Sequence, residues 1–150
     1  MQYRSEIAAA VIALVASAMV AAEDRVIQGV VTQWRPMITF AQPGDRIIFK
    51  NMIGHDTEAI TGMIPDGATP WKSKMGEEGF NVKVGVEGAY VYKCNPHIST
   101  GMVGVILVGD HNPPSNLLQI EENLANVKVA RNMVARALRK MKKALQHRSE

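Results

Sequence analysis

Between residues 26 and 108 the chain is written in short runs of Val, Ile, Phe and Tyr cut by turn-forming residues, a pattern that restricts it to a β-rich fold. The runs fall at 26–33, 37–41, 46–50, 80–84, 89–93 and 103–108. Their punctuation is chemically explicit: in Pro43-Gly44-Asp45 and Glu87-Gly88, proline presets φ and glycine accepts positive φ. Strands this short, with no helical pattern between them, predict a mainly β sandwich rather than a crossover-linked parallel sheet. One stretch, 61–79, carries Gly62, Pro65, Gly67, Pro70 and Gly76 with no clear period. A connection of that length is expected to cover or build a site.

From Ser115 the period changes to that of a helix. Leu117, Ile120 and Leu124 share one stripe, and Val127, Val134, Leu138, Met141 and Leu145 recur at spacings of three, four and seven. Pro113 and Pro114 end the preceding strand, and Ser115 is placed to cap the first helix. Two helices are expected, broken near residues 123–126, with one bent helix as the alternative. Their apolar stripe reads as packing against the sandwich, not as a cofactor-binding face.

At the other end, Arg4 precedes an apolar run from Ile7 to Val20 and then the small residues Ala21 and Ala22. The run falls short of the roughly 20 residues that span a bilayer. It has the layout of a signal peptide covering 1–22, cleaved before Glu23. An uncleaved anchor is the competing reading. The sandwich would then occupy 23–112 and the helical extension 113–150. One ordinary domain with a short appendage fits the 150 residues.

Export makes the cysteine content informative, because oxidising compartments normally use thiols in pairs. Cys94 is alone, so it must be buried, joined to another chain, or bound to something. Its surroundings read Tyr92-Lys93-Cys94-Asn95-Pro96-His97-Ile98-Ser99-Thr100-Gly101-Met102-Val103, a strand end, a loop and the next strand's start. A thiolate, an imidazole and a thioether therefore project from one short loop. Soft sulfur with imidazole nitrogen suits copper, whose two oxidation states prefer different geometries that a His2Cys set with a distant Met lies between. Taken singly, each residue is more often an ordinary core or bystander group; the Cys-x2-His-x4-Met spacing is what sets them apart. Zinc gains nothing from a thioether, and its structural sites favour several cysteines.

A second imidazole is needed, and four histidines are available. After His97, His147 lies near the end of the basic tail and His111 follows the strand 103–108 at its far end. His55 remains, just beyond the strand 46–50 and preceded by Gly54, which lets the backbone turn tightly. The candidate metal ligands are thus His55, Cys94, His97 and Met102.

These residues, with Gly54-His55, Glu58, Ile60, Met63-Ile64-Pro65, Lys72-Ser73-Lys74, Gly88-Ala89-Tyr90, Lys93-Cys94, Pro96-His97, Gly101-Met102 and Val108-Gly109-Asp110, resemble the cupredoxins, and within them the pseudoazurins. Ser115-Asn116-Leu117 running into helices is similar to the two C-terminal helices of that group. The resemblance implies an eight-stranded Greek-key sandwich with one type 1 copper at one end, cycling between Cu(I) and Cu(II). It implies His55, Cys94 and His97 as equatorial ligands, Met102 as the axial one, and the His97 ring edge as the electron port. It also implies a monomeric periplasmic electron carrier, not an enzyme, meeting redox proteins such as copper nitrite reductase or a dehydrogenase transiently. Three positions depart from the group: Asp56 stands where Asn is usual, Asn95 where Thr or Ser is usual, and Ile53 where Lys is usual. Asn95 is expected to supply the amide that Asp56 lacks. Docking lysines are retained at Lys72, Lys74 and Lys93, around an apolar patch of Ile53, Pro96 and Ile98.

A copper buffer or delivery protein is the alternative function, but among nine methionines only Met102 has a ligand context. Enzymatic copper chemistry wants an open coordination position or more histidines than four. The overall charge of +3 is uneven: residues 128–150 hold eight Lys and Arg against Glu150 alone, whereas 23–127 hold eight basic and twelve acidic groups. Nucleic acid is a poor partner for an exported, acidic body. Stable membrane insertion is not expected once 1–22 are removed, and the basic tail reads as a solvated helix face.

Overall fold

A computed structural model describes residues 21–148. Eight strands are assigned: β1 (Asp24–Val30), β2 (Gln33–Arg35), β3 (Ile38–Ala41), β4 (Arg46–Lys50), β5 (Glu58–Ala59), β6 (Asn81–Lys83), β7 (Gly88–Lys93) and β8 (Val103–Val108). Two helices follow, α1 (Leu117–Leu124) and α2 (Arg131–Arg148). The strands form two four-stranded sheets, ordered β2-β1-β4-β6 and β3-β8-β7-β5. The pairs β1/β4 and β3/β8 are parallel; the remaining ladders are antiparallel. The expected eight-stranded sandwich with two C-terminal helices is therefore present. The expected signal peptide lies almost wholly outside the described residues. Among those described, no helix is long and apolar enough to cross a membrane.

Period-2 alternation explains how β7 and β8 serve two cores at once. Tyr90 and Tyr92 of β7 and Ile106 and Val108 of β8 point between the sheets, where they meet Ile27, Trp34, Ile47 and Phe49. The intervening Ala89, Val91, Val103, Val105 and Leu107 point the other way, onto Ile120, Val134, Leu138, Met141 and Leu145 of the helices. Burial on both faces is why β8 reads Val-Gly-Val-Ile-Leu-Val with no polar residue. Gly104 is required there, since a Cβ would lie 2.3 Å from the Tyr92 ring.

The helical stripe is packing, as expected, but two details differ. The break spans residues 125–130, and Ser115 does not cap α1. Its hydroxyl donates to the Glu87 carbonyl, and the N-cap position belongs to Asn116. The Asn116 side chain is spent elsewhere: it donates to the Ala89 carbonyl at 2.9 Å and accepts from the Ala89 N–H at 2.8 Å, fastening α1 to β7. The segment 61–79 forms no helix and does build the site's surroundings. Ser73 exchanges hydrogen bonds with Thr57, Trp71 Nε1 donates to the Thr57 hydroxyl, and the Gly76 N–H donates to the His55 carbonyl.

Candidate metal centre

The strand ends of the sandwich bring three of the four predicted side chains together. Cys94 follows β7, and its N–H donates to the Met102 carbonyl at 3.0 Å, closing the loop that carries His97. Within it the His97 carbonyl accepts from the N–H groups of Thr100 and Met102 and from the Thr100 hydroxyl. Gly101, at φ +96°, ends the single 3-10 turn of Ile98–Thr100 and lets the chain re-enter β8. From the opposite sheet, β4 leads to a turn in which the His55 N–H donates to the Met52 carbonyl, with Gly54 at φ +75°.

Cys94 Sγ lies 3.7 Å from His55 Nδ1 and 3.5 Å from His97 Nδ1. Ligand bonds of about 2.0–2.3 Å set about 110–120° apart would hold nitrogen and sulfur roughly 3.6–3.8 Å from each other, so the gap has the size of one first-row metal ion. The two imidazole rings stand 5.0 Å apart at 60°. Met102 is fully buried beneath the loop, Cys94 is fully buried, His55 is nearly so, and His97 is half-buried. Burial, and His97 beside it, hold the His55 imidazole below the ordinary histidine range, with Asp56 opposing; it is therefore neutral and offers a lone pair at neutral pH. Burial pushes the Cys94 thiol up, while the backbone N–H groups of Asp56 and His97 pull the other way. A bound cation would remove that proton outright. One thiolate, two imidazoles and a thioether match copper's preferences better than zinc's.

The other two histidines are not in the group. His111 sits at the far end of β8, paired with Glu87 at 2.9 Å, and His147 lies at the end of α2.

Around the ligands, Asn95 does supply an amide. Its N–H donates to Asp56 Oδ1 at 2.6 Å, and its side-chain amide donates to Asp56 Oδ2 at 2.7 Å and Glu58 Oε2 at 2.6 Å. The two metal-side loops are thus pinned from the Asn95 side. Ile98 is a correction: it is buried against the helices and contributes nothing to a surface patch, because the 3-10 turn points it inward. The exposed apolar residues here are Ile53, Pro96 and Met75, the last in the turn held to His55. Two of the expected docking lysines, Lys72 and Lys93, share the Glu58 carboxylate at 3.4 and 3.8 Å.

Gly29 is a supporting residue that the sequence reading passed over. A Cβ on it would lie 2.7 Å from His55 Cδ2 and 2.9 Å from the Asn51 carbonyl oxygen. A glycine inside a strand was the available signal, since it marks a close approach. Trp34 of β2 backs His55 from the same side, with ring centroids 6.1 Å apart.

Comparison with known proteins agrees with this arrangement. Residues 24–109 match the model of the family described as copper binding proteins, plastocyanin/azurin family. A pseudoazurin from Methylorubrum extorquens is 40% identical over 73% of this chain and 80% of its own length. A putative pseudoazurin from Rhizobium leguminosarum bv. viciae is 42% identical over 64% of this chain, which spans only 59% of that relative. Among solved structures, a Sinorhizobium pseudoazurin superposes with a TM-score of 0.65 at 31% identity, covering 79% of this chain and 92% of that one. Fold, ligand-like cluster and relatives together place the chain in the copper-binding plastocyanin/azurin family, among its pseudoazurins, with copper as its cofactor.

Proposed function

We propose that His55 Nδ1, Cys94 Sγ, His97 Nδ1 and the Met102 thioether hold one copper ion, and that the chain carries single electrons between redox proteins in the periplasm. The observation that carries this reading is the enclosed cluster in which Cys94 and His97, on the loop that ends at Met102, meet His55 from the turn after β4. Bound copper supplies a one-electron couple. Everything else falls to the protein: strands β4, β7 and β8 fix the loops, so little has to move when charge changes. Full burial of Cys94 and Met102 keeps solvent from the sulfur atoms and argues against a site built for ready exchange. His97 reaches the surface next to Ile53 and Pro96, which gives a partner a close, dry contact for electron exit.

The mature carrier begins at Glu23, with the sandwich over 23–112 and the helical extension over 113–150. Its partners are a dehydrogenase as donor and a reductase such as copper nitrite reductase as acceptor, met transiently by a monomer. Adding cupric copper to the purified mature protein should give intense thiolate-to-copper colour and a reversible one-electron wave. A colourless wild type, or equal colour in Cys94→Ser, overturns the proposal. Rapid loss of copper to a mild chelator would support a delivery role instead.

A further inference from the structure

We infer that the outer face of α2, continuous with the edge of the metal loop, is the docking surface for an acidic redox protein, and that the steering charge lies there instead of beside Lys72. This rests on the electron-carrier reading above and names the side from which the partner arrives.

The Lys72 side cannot generate much field. Lys72 and Lys93 both face Glu58, Lys50 faces Glu78 at 3.9 Å, and Glu77 accepts from the Lys74 backbone. With Asp56 included, four cations there meet four carboxylates. On α2 the balance is opposite. Arg136, Arg139, Lys140 and Lys143 are all exposed and lie on the arc away from the buried Val134, Ala137, Leu138, Met141 and Leu145. The helix Arg131–Arg148 contains no acidic residue. Among the described residues none of these four has a carboxylate within ion-pair reach, whereas their neighbours Lys142 and Arg148 pair with Glu121 and Asp110. Four neighbour pairs at spacings of three and four are therefore like-charged, an arrangement that weakens a helix and gains nothing within the fold.

The face is also joined to the metal loop. Arg136 Nη1 lies 3.7 Å from the position a Gly101 Cβ would take, one residue before Met102. Arg136 and Lys140 line a cavity of about 110 Å³ with Thr100 and Gly101. An acidic protein seated on α2 thus reaches the loop that carries His97. A membrane is a poorer occupant, because surface-binding helices bury an apolar face and that of α2 is already spent on the sheet.

The test uses succinylated cytochrome c, a haem protein whose lysines have been turned into carboxylates, as acidic acceptor. Copper-loaded, reduced wild type should transfer electrons to it at a rate that falls as salt rises. The double variant Arg136→Glu/Lys140→Glu should be slowed at least about tenfold at low salt, and Lys72→Glu/Lys74→Glu less than about threefold. Rates are compared at full copper loading judged by colour, and melting temperatures are measured for each variant, because Lys72 is paired with Glu58. Equal slowing in both pairs, or a larger effect at Lys72 and Lys74, overturns the inference. So does binding to phosphatidylglycerol vesicles with no change in rate. Direct binding of the same probe, followed by NMR, reads the surface independently of copper. A colourless chain that still shows shifts along α2 would therefore defeat the carrier reading and leave the docking face standing, while shifts confined to the Lys72 side would defeat the docking face.

Discussion

Replacing Asn95 by alanine should destabilise the fold and lower the reduction potential together. The side-chain amide of Asn95 donates to Asp56 and Glu58, both carboxylates, at 2.7 and 2.6 Å. Hydrogen bonds to charged groups contribute about 1.5–3 kcal/mol each, and the loss is largest where the acceptor stays buried. Asp56 is 5% exposed and keeps only the Asn95 backbone N–H of the two donors, so most of the cost falls there. Glu58 is more exposed and retains Lys72 and Lys93, so its share is discounted. The sum is about 2–4 kcal/mol, read as a drop in the urea midpoint of the metal-free protein. Asp56, with one compensating donor fewer, also presents more negative charge to the site and favours the more positive oxidised ion. If about 1 kcal/mol of that compensation is felt at copper, the potential falls by about 40 mV. Voltammetry of the loaded variant measures it, and in an Asp56→Asn background the same substitution should do much less. A potential within about 10 mV of wild type, at an unchanged urea midpoint, would refute the reasoning that Asn95 replaces the amide missing at position 56.

Other outcomes are fixed by the packing. Gly29→Ala should displace the His55 ring and bleach or shift the copper colour, at a cost of about 1–3 kcal/mol in stability, whereas Gly85→Ala, which meets nothing within 4 Å, should be silent in the spectrum. Tyr90→Phe should cost about 1–2 kcal/mol in a thermal melt, because its hydroxyl donates to the Val86 carbonyl at 2.7 Å and accepts from the Val86 N–H. Asp45 should govern part of the acid limb of stability. Burial alone would raise its pKa, but the backbone N–H groups of Gln42 and Glu23 and the Arg25 guanidinium hold it below the ordinary carboxylate value. A depressed folded-state pKa contributes stability that is present above the unfolded value of about 3.9 and is lost as pH falls through the folded one. Melting curves of the metal-free protein between pH 6 and pH 2 should therefore fall less steeply for Asp45→Asn, and parallel curves would contradict this assignment.

The sequence by itself determined the class of fold and the copper-suited Cys-His-Met loop, because both are written locally, whereas His55 was reached only by elimination among four histidines. Period-2 runs with glycine and proline turns specify strands, a period near 3.6 specifies α1 and α2, and Cys94, His97 and Met102 occupy one loop whose spacing alone is informative. Strands β2 and β5 were not legible, since three and two residues carry no period and their pairing is set by β1 and β7. Tertiary structure alone decided what lies between elements distant in sequence. Gly29 matters because β1 passes against His55, Ile98 faces the helices because the 3-10 turn rotates it inward, and Glu58 cancels Lys72 and Lys93 because β5 lies beside β7. Charges can be counted along a chain, but electrostatic field depends on distance, and only the folded protein brings the carboxylates to one side of the copper loop and leaves the outer arc of α2, Arg136, Arg139, Lys140 and Lys143, without them.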